Sequence, residues 1–316
     1  MFARPSIFVV LYLLTILVAA APAVSSADAH DQKAVLVTGA SSGIGRNITE
    51  RLAGEGFFVY AGARKESDLE ALDALDNVKA VRLDVTVDED IDAAVRMIEA
   101  EGRGLFGIVN NAGVAVIGPM NEASEEDILW VHDINVLGPY RINKAFAPLL
   151  EESGGRTMII GSISGFISGP GSGTYSMSKF AVEAYTEALA AEMADTGVVV
   201  TIVEPGGYRS RIREKVALQE LTGVQQAAAD LTAEQKAELE AARARNAELK
   251  EPDEVSAAVL DALTAETPKP RYMVVPNAEQ AEATIRNALR RVVELNADQE
   301  YEYSREELIA MLDELL

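Results

Sequence analysis

From Ala34 onward, short apolar runs rich in β-branched residues alternate with helix-length stretches, and that rhythm leaves few architectures open. Ala34 to Thr38, Phe57 to Ala61, Val78 to Leu83, Ile108 to Asn110, Thr157 to Ile160 and Val198 to Val203 read as buried strands, and Tyr272 to Val275 as one more strand. Ile44 to Glu55, Asp88 to Glu101, Ser124 to Leu150 and Gly171 to Met193 supply helices between them. Strands that are apolar almost throughout belong in a sheet covered on both faces. The expected fold is α/β: a doubly wound, mostly parallel sheet of seven strands in a single domain.

The first strand runs into Thr38-Gly39-Ala40-Ser41-Ser42-Gly43-Ile44-Gly45, and a helix follows at once. Glycines there let the backbone approach a pyrophosphate, and the helix start offers free N–H groups to an anion. Thr38, Gly39, Ser41, Ser42, Gly43, Ile44 and Gly45 are therefore candidate nucleotide-binding residues. A second constellation lies far along the chain. Tyr175 and Lys179 are spaced four apart on a predicted helix and share a face, with Ser162 thirteen residues before Tyr175 at a strand end. An ammonium near a phenol favours the phenolate, which makes the tyrosine a usable acid and base.

Composition narrows the chemistry further. The net charge is −22, from 50 acidic and 28 basic side chains, which argues against a non-specific hold on nucleic acid. The chain has no cysteine and only two histidines, His30 and His132. Thiol nucleophiles and thiolate or His-rich metal sites are thereby excluded, and no metal is expected.

Taken in order, Thr38 to Gly45, Asp84-Val85, Asn110-Asn111-Ala112-Gly113, Asn135, Ser162, Tyr175-Ser-Met-Ser-Lys179 and Pro205-Gly206 resemble the short-chain dehydrogenases/reductases over about residues 33 to 275. The resemblance implies an NAD(P)-dependent enzyme that moves a hydride between a nicotinamide and a carbonyl or secondary alcohol. It gives Tyr175 the proton transfer, Ser162 the orientation of the substrate oxygen, Lys179 the tuning of the tyrosine and the nicotinamide ribose, and Asn135 a water linking the lysine to solvent. Asp84 and Val85 would border the adenine, and Asn111, Ala112 and Gly113 the adenosine side. Pro205, Gly206 and Ser210 would close over the nicotinamide, the serine standing where the family often has a threonine. The rival from another class is a non-catalytic NAD(P)-binding sensor on the same fold. Its expected signature, a missing member of the tetrad Asn135, Ser162, Tyr175 and Lys179, is absent from the sequence.

NADP(H) is the expected cofactor, with NAD(H) as the alternative. The second strand ends near Ala61-Gly62-Ala63-Arg64 without the carboxylate that would bond a ribose 2′-hydroxyl, and Arg64 can pair with a 2′-phosphate. An apolar pocket from Val114, Val116, Ile117, Phe166, Ile167 and Tyr208 suggests an apolar alcohol or ketone, in the manner of the steroid- and retinol-dehydrogenase-like branch. Residues 1 to 30 carry Arg4 and an apolar run from Ile7 to Ala21, and read as a signal peptide or a membrane anchor. The expected location is exported or membrane-associated. The Rossmann domain is expected over 31–276, with a helical lid insertion at about 208–250 and a C-terminal helical extension over 277–316. Capping boxes are predicted at Thr232/Gln235 and Ser304/Glu307. The Leu308 to Leu316 stripe is expected in the core or in a subunit contact, and a homo-oligomer, dimer or tetramer, is the expected assembly.

Overall fold

In β1 (Ala34–Val37), alternate side chains divide between two cores: Val35 and Val37 enter one, Ala34 and Leu36 the other. That division is what a strand buried on both faces requires, since successive side chains point to opposite sides. The computed structural model describes residues 32–222 and 231–316, and the proposed targeting segment lies outside them. Residues 32–316 form one compact unit.

The remaining strands are β2 (Phe58–Ala63), β3 (Val78–Arg82), β4 (Gly107–Asn110), β5 (Arg156–Ile160), β6 (Val199–Pro205) and β7 (Arg271–Val274). All pair in parallel in the order β3-β2-β1-β4-β5-β6-β7, so the expected seven-stranded sheet is present and wholly parallel. The direction of winding reverses between β1 and β4, and a crevice opens there at the strands' carboxyl ends.

Helices α1 (Gly43–Gly54), α2 (Glu66–Asp73) and α9 (Asp253–Thr264) cover one face through Ile48, Leu52, Leu72, Val255 and Val259. Helices α3 (Asp88–Glu101), α4 (Glu125–His132) and α5 (Gly138–Ser153) cover the other, with Ile98, Val131, Ile142 and Phe146 buried. On that same face, Val182 of α6 (Gly173–Met193) packs with Ile159, Val200 and Ile202. The stretch expected as one helix from Ser124 to Leu150 is interrupted: Asp133–Leu137 forms a π-helical turn between α4 and α5. A π-turn inserts a residue into the helical register and re-aims the side chains around it.

After β6 come α7 (Arg211–Thr222) and α8 (Ala233–Ala247), which pack together; no strand occurs among the described residues of this insertion. α8 begins at the expected capping box of Thr232 and Gln235. Helices α10 (Ala278–Asn296) and α11 (Arg305–Leu315) end the chain, and the second capping box is formed by Ser304 and Glu307. α11 buries none of its residues and leaves Ile309, Met311, Leu312 and Leu315 exposed, so the terminal stripe is not core. No helix among the described residues is long and apolar enough to cross a membrane.

Candidate active site

The turns after β1 and β4 are stapled together. Thr38 Oγ1 accepts from the backbone N–H of Asn111 and of Ala112, each at 3.0 Å. Asn111 Nδ2 donates in return to the carbonyls of Thr38 at 2.9 Å and Gly39 at 3.1 Å. This closeness fixes two residue types. Gly39 has φ +65° and a Cβ there would stand 2.9 Å from Ala112 Cα; a Cβ on Gly45 would stand 2.3 Å from Gly39 O. Ser42 is the N-cap of α1, yet its side chain caps nothing, so the first N–H groups of the helix remain available.

These turns form one end of a cavity of about 850 Å³. Gly39, Ser41, Ser42, Ile44, Gly45, Arg64, Asp84, Val85, Asn111, Ala112 and Gly113 line it, and Ser162, Tyr175, Lys179, Pro205, Gly206 and Ser210 continue the lining. Three predicted residues stand behind the wall instead. Thr38 is buried in its staple, Gly43 faces Ser210 from outside the cavity, and Asn135 supports the structure from the π-turn. Val114, Ile117 and Tyr208 reach the cavity, whereas Val116, Phe166 and Ile167 do not: Val116 packs into the core and Phe166 lies beneath Arg271. His132 bonds the carbonyl of Ile128 and takes no part.

α6 carries Tyr175 and Lys179 on one face, as their spacing predicts, and β5 delivers Ser162 opposite them. Lys179 is 6% exposed, and its Nζ donates to Ile160 O at 2.8 Å. Burial holds its pKa down at about 8, against an upward pull from Glu183. Burial also raises the Tyr175 phenol; a hydrogen bond with Ser162 and the positive charge of Arg213 act in the opposite direction. The charge of Arg213, on α7, thus reaches the phenol, and Lys179 Nζ stands 5.5 Å from the tyrosine ring centre.

Asn135 is 2% exposed and fully committed. Its Oδ1 accepts from Val114 N at 2.9 Å, while Nδ2 donates to Val114 O at 2.9 Å and Ser178 Oγ at 3.0 Å. The side chain therefore has no donor left over for a water. Asp84 is similarly engaged. Burial pushes its carboxyl up, but hydrogen bonds from Thr86 and the charge of Arg64, 3.4 Å away, hold it below the usual range.

The cavity is also lined by Arg64 and Lys65, past the end of β2, and by Arg211 and Lys215, which lie one turn apart on α7. Partial desolvation lowers the Lys215 pKa first, followed by repulsion from Arg64, Arg211 and Lys65, with Asp68 opposing. Lys65, Arg211, Arg213 and Lys215 form no ion pair among the described residues. The run of bases from Arg209 to Lys215 is visible in the sequence, but the side each presents is not: the charge of Arg213 reaches Tyr175 and that of Lys215 meets Arg64. Among the described residues no cluster of His, Asp or Glu could hold a metal.

Known proteins resemble this chain in sequence and in fold. A family model described as short chain dehydrogenase matches residues 33–221. Mitochondrial D-beta-hydroxybutyrate dehydrogenase of Rattus norvegicus is 36% identical over 194 residues, 58% of this chain and 57% of that protein. Retinol dehydrogenase 5 of Mus musculus is 37% identical over 190 residues, 58% of this chain and 59% of its own. The match thus spans little more than half the length of these curated relatives. The crystal structure of a short-chain dehydrogenase from Streptomyces avermitilis is 30% identical, with TM-score 0.68 over 84% of this chain and 95% of that one. One from Burkholderia phymatum, in complex with NAD, is 26% identical, with TM-score 0.68 over 87% and 99%. With the glycine turn, the stapled β4 turn and the Ser162, Tyr175 and Lys179 wall in one cavity, and with these relatives, the chain belongs to the short chain dehydrogenase family.

Proposed function

We propose that this protein is an NADP(H)-linked oxidoreductase acting on a secondary alcohol or ketone. The observation that carries the reading is the meeting of Ser162, Tyr175 and Lys179 at one end of a cavity whose other end is the uncapped start of α1. Backbone N–H groups of the glycine turn would hold the pyrophosphate, and Lys179 would reach the nicotinamide-side ribose. When bound, the cofactor supplies or accepts a hydride.

The protein's own part is proton handling and orientation. The Tyr175 hydroxyl donates its proton to the developing alkoxide in reduction and accepts one in oxidation, and the Ser162 hydroxyl fixes the substrate oxygen beside it. The raised tyrosine keeps that proton at neutral pH, which suits reduction. Oxidation needs the phenolate, and a cationic Lys179 turned toward the ring together with Arg213 would stabilise it. Because the Asn135 side chain is committed, a water beside Lys179 would have to be held by backbone carbonyls of the π-turn.

Preference for NADP(H) is supported by Arg64, Lys65, Arg211 and Lys215 in the lining of the cavity, a local positive field in a chain of net charge −22. The structural relative from Burkholderia phymatum holds NAD, so the preference is tested by comparing both cofactors. For the substrate, Val114 and Ile117 offer an apolar flank. A second reading, a hydroxy acid whose carboxylate meets Arg213, is favoured by the position of that cation beside Tyr175 and by the named activity of the hydroxybutyrate relative. The deciding experiment follows nicotinamide absorbance with paired neutral and carboxylate-bearing alcohols and ketones, in wild type and Tyr175→Phe. Turnover that survives largely intact in Tyr175→Phe would refute the mechanism.

A further inference from the structure

Behind the wall that carries the reacting groups lies a buried acid pair that no step above uses. Glu183 stands one turn beyond Lys179 on α6, and Glu204 immediately precedes Pro205 on β6. Both bond the same nitrogen, Nη1 of Arg271, at the start of β7; Nη2 reaches Glu187 at 3.1 Å. The Glu204 side chain is 1% exposed, that of Glu183 11% and that of Glu187 72%, so the inner two acids face one guanidinium away from water.

The two inner carboxyl groups thus converge on one nitrogen, in a place where the Glu204 side chain is 1% exposed. Two buried carboxylates facing a single positive charge repel each other, and one proton held between them relieves that repulsion. The proton belongs to the pair and not to either residue. Glu183 Oε1 is buried without a hydrogen-bond partner, and it fits only because Gly161 and Gly165 lack side chains: a Cβ on either would lie 3.2 Å or 2.7 Å from it. Ser162 sits on the turn between those glycines, and its Oγ is 3.5 Å from Pro205 O.

We propose that Glu183 and Glu204 form a one-proton carboxyl pair that positions the reacting groups. The pair joins the Ser162 turn, the Lys179 turn of α6 and the Pro205-Gly206 loop to Arg271, and its charge biases the charge of Lys179. Among the described residues, the charged groups that face it are Lys179 and Glu187 from α6 and Arg271 from β7, and the Gly161 to Gly165 turn carries none. Burial raises both acids, and Glu204 reaches about 8 with the added repulsion of Glu183, although Arg271 pulls it down. The catalytic meaning of the pair rests on the proposed dehydrogenase reading, whereas the shared proton does not.

A folded-state pKa above the unfolded value adds stability that is complete below the unfolded value and is lost as pH rises through the folded one. The melting temperature of the full-length wild type should therefore fall as pH rises from 6 through about 8. Glu204→Gln keeps the donor but does not titrate, and should remove that fall. A protonated-carboxyl infrared band should be present in wild type at pH 7 and absent from both Glu204→Gln and Glu183→Gln. In turnover assays the alkaline limb of kcat/KM should move by about one pH unit or more in Glu204→Gln. An unchanged stability-against-pH slope in Glu204→Gln, or no protonated-carboxyl band in wild type, overturns the shared proton. An unmoved alkaline limb overturns the positioning role. Should Glu204→Gln not fold, the wild-type infrared titration alone still decides the shared proton. If no nicotinamide-linked turnover is found for wild type, the functional reading fails separately and the band and melting data still judge the pair.

Discussion

Replacing Asn135 by alanine tests how the π-turn shapes the cavity. The substitution removes an amide that satisfies both polar groups of the Val114 backbone at once, at 2.9 Å each, in a place where Val114 is 7% exposed. Each buried backbone group left without a partner costs about 1–3 kcal/mol, so the sum is roughly 2–4 kcal/mol after partial relaxation. For a domain of this size that corresponds to a fall of roughly 3–7 °C in melting temperature. Ser178 also loses its donor, and its hydroxyl is the group that bonds Tyr175 O at 2.7 Å, so turnover should fall beyond what unfolding explains. Asn135→Asp is the control. It keeps an acceptor for Val114 N but sets a carboxylate oxygen against Val114 O, and should be no more stable than Asn135→Ala at neutral pH. Urea unfolding at constant m-value gives the free energies. A loss under about 1 kcal/mol for Asn135→Ala, or a wild-type-like Asn135→Asp, would show that the reasoning is wrong.

Gly45→Ala places a methyl 2.3 Å from Gly39 O and Asn111 Nδ2; it should cost about 1–3 kcal/mol and weaken dinucleotide binding, measured by calorimetry. Arg64→Ala and Lys215→Ala should each weaken NADP(H) about tenfold while leaving NAD(H) nearly unchanged, and added salt should narrow the gap. Equal losses for both cofactors would count against a phosphate role for either residue. Asp84 has a lowered folded pKa, so its contribution is present above the unfolded value and is lost as pH falls through the folded one. The stability deficit of Asp84→Asn should accordingly shrink in acid, and a deficit independent of pH between 7 and 3 would contradict this.

The sheet and the Tyr175 and Lys179 face were legible because they rest on short periodicities: alternation along a strand, and four residues along a helix. The Thr38 to Gly45 turn was legible because its glycines answer local geometry. What escaped depends on contacts between distant segments. Apolar spacing from Ser124 to Leu150 fits one helix and carries no trace of the inserted π residue that turns Asn135 inward. Arg213 and Lys215 stand on an insertion whose docking is set by tertiary packing, so the side each presents to the cavity was hidden. Phe166 was placed in the pocket by its neighbours in sequence, but Arg271, stacked 5.0 Å from its ring centre, lies far along the chain. Glu204 did leave a signal, an acid at the end of an otherwise apolar buried strand; its partners Glu183 and Arg271 could not be paired with it from spacing.

One contact bears on how modular this molecule is. The N–H of Gly207 donates to Gln280 Oε1 at 2.7 Å, and Gln280 belongs to the first turn of α10, well past the stretch that carries the family's motifs. The rim of the cavity next to Pro205 and Gly206 is therefore held by a segment whose sequence advertises nothing but an amphipathic helix. Exchanging the C-terminal extension for a relative's, or trimming it before α10, would remove a brace from the mouth of the site while leaving all seven strands in place. In a graft between relatives, the tail and the Pro205 to Tyr208 loop have to travel together, because the glycine amide that one exposes is satisfied only by the side chain the other brings.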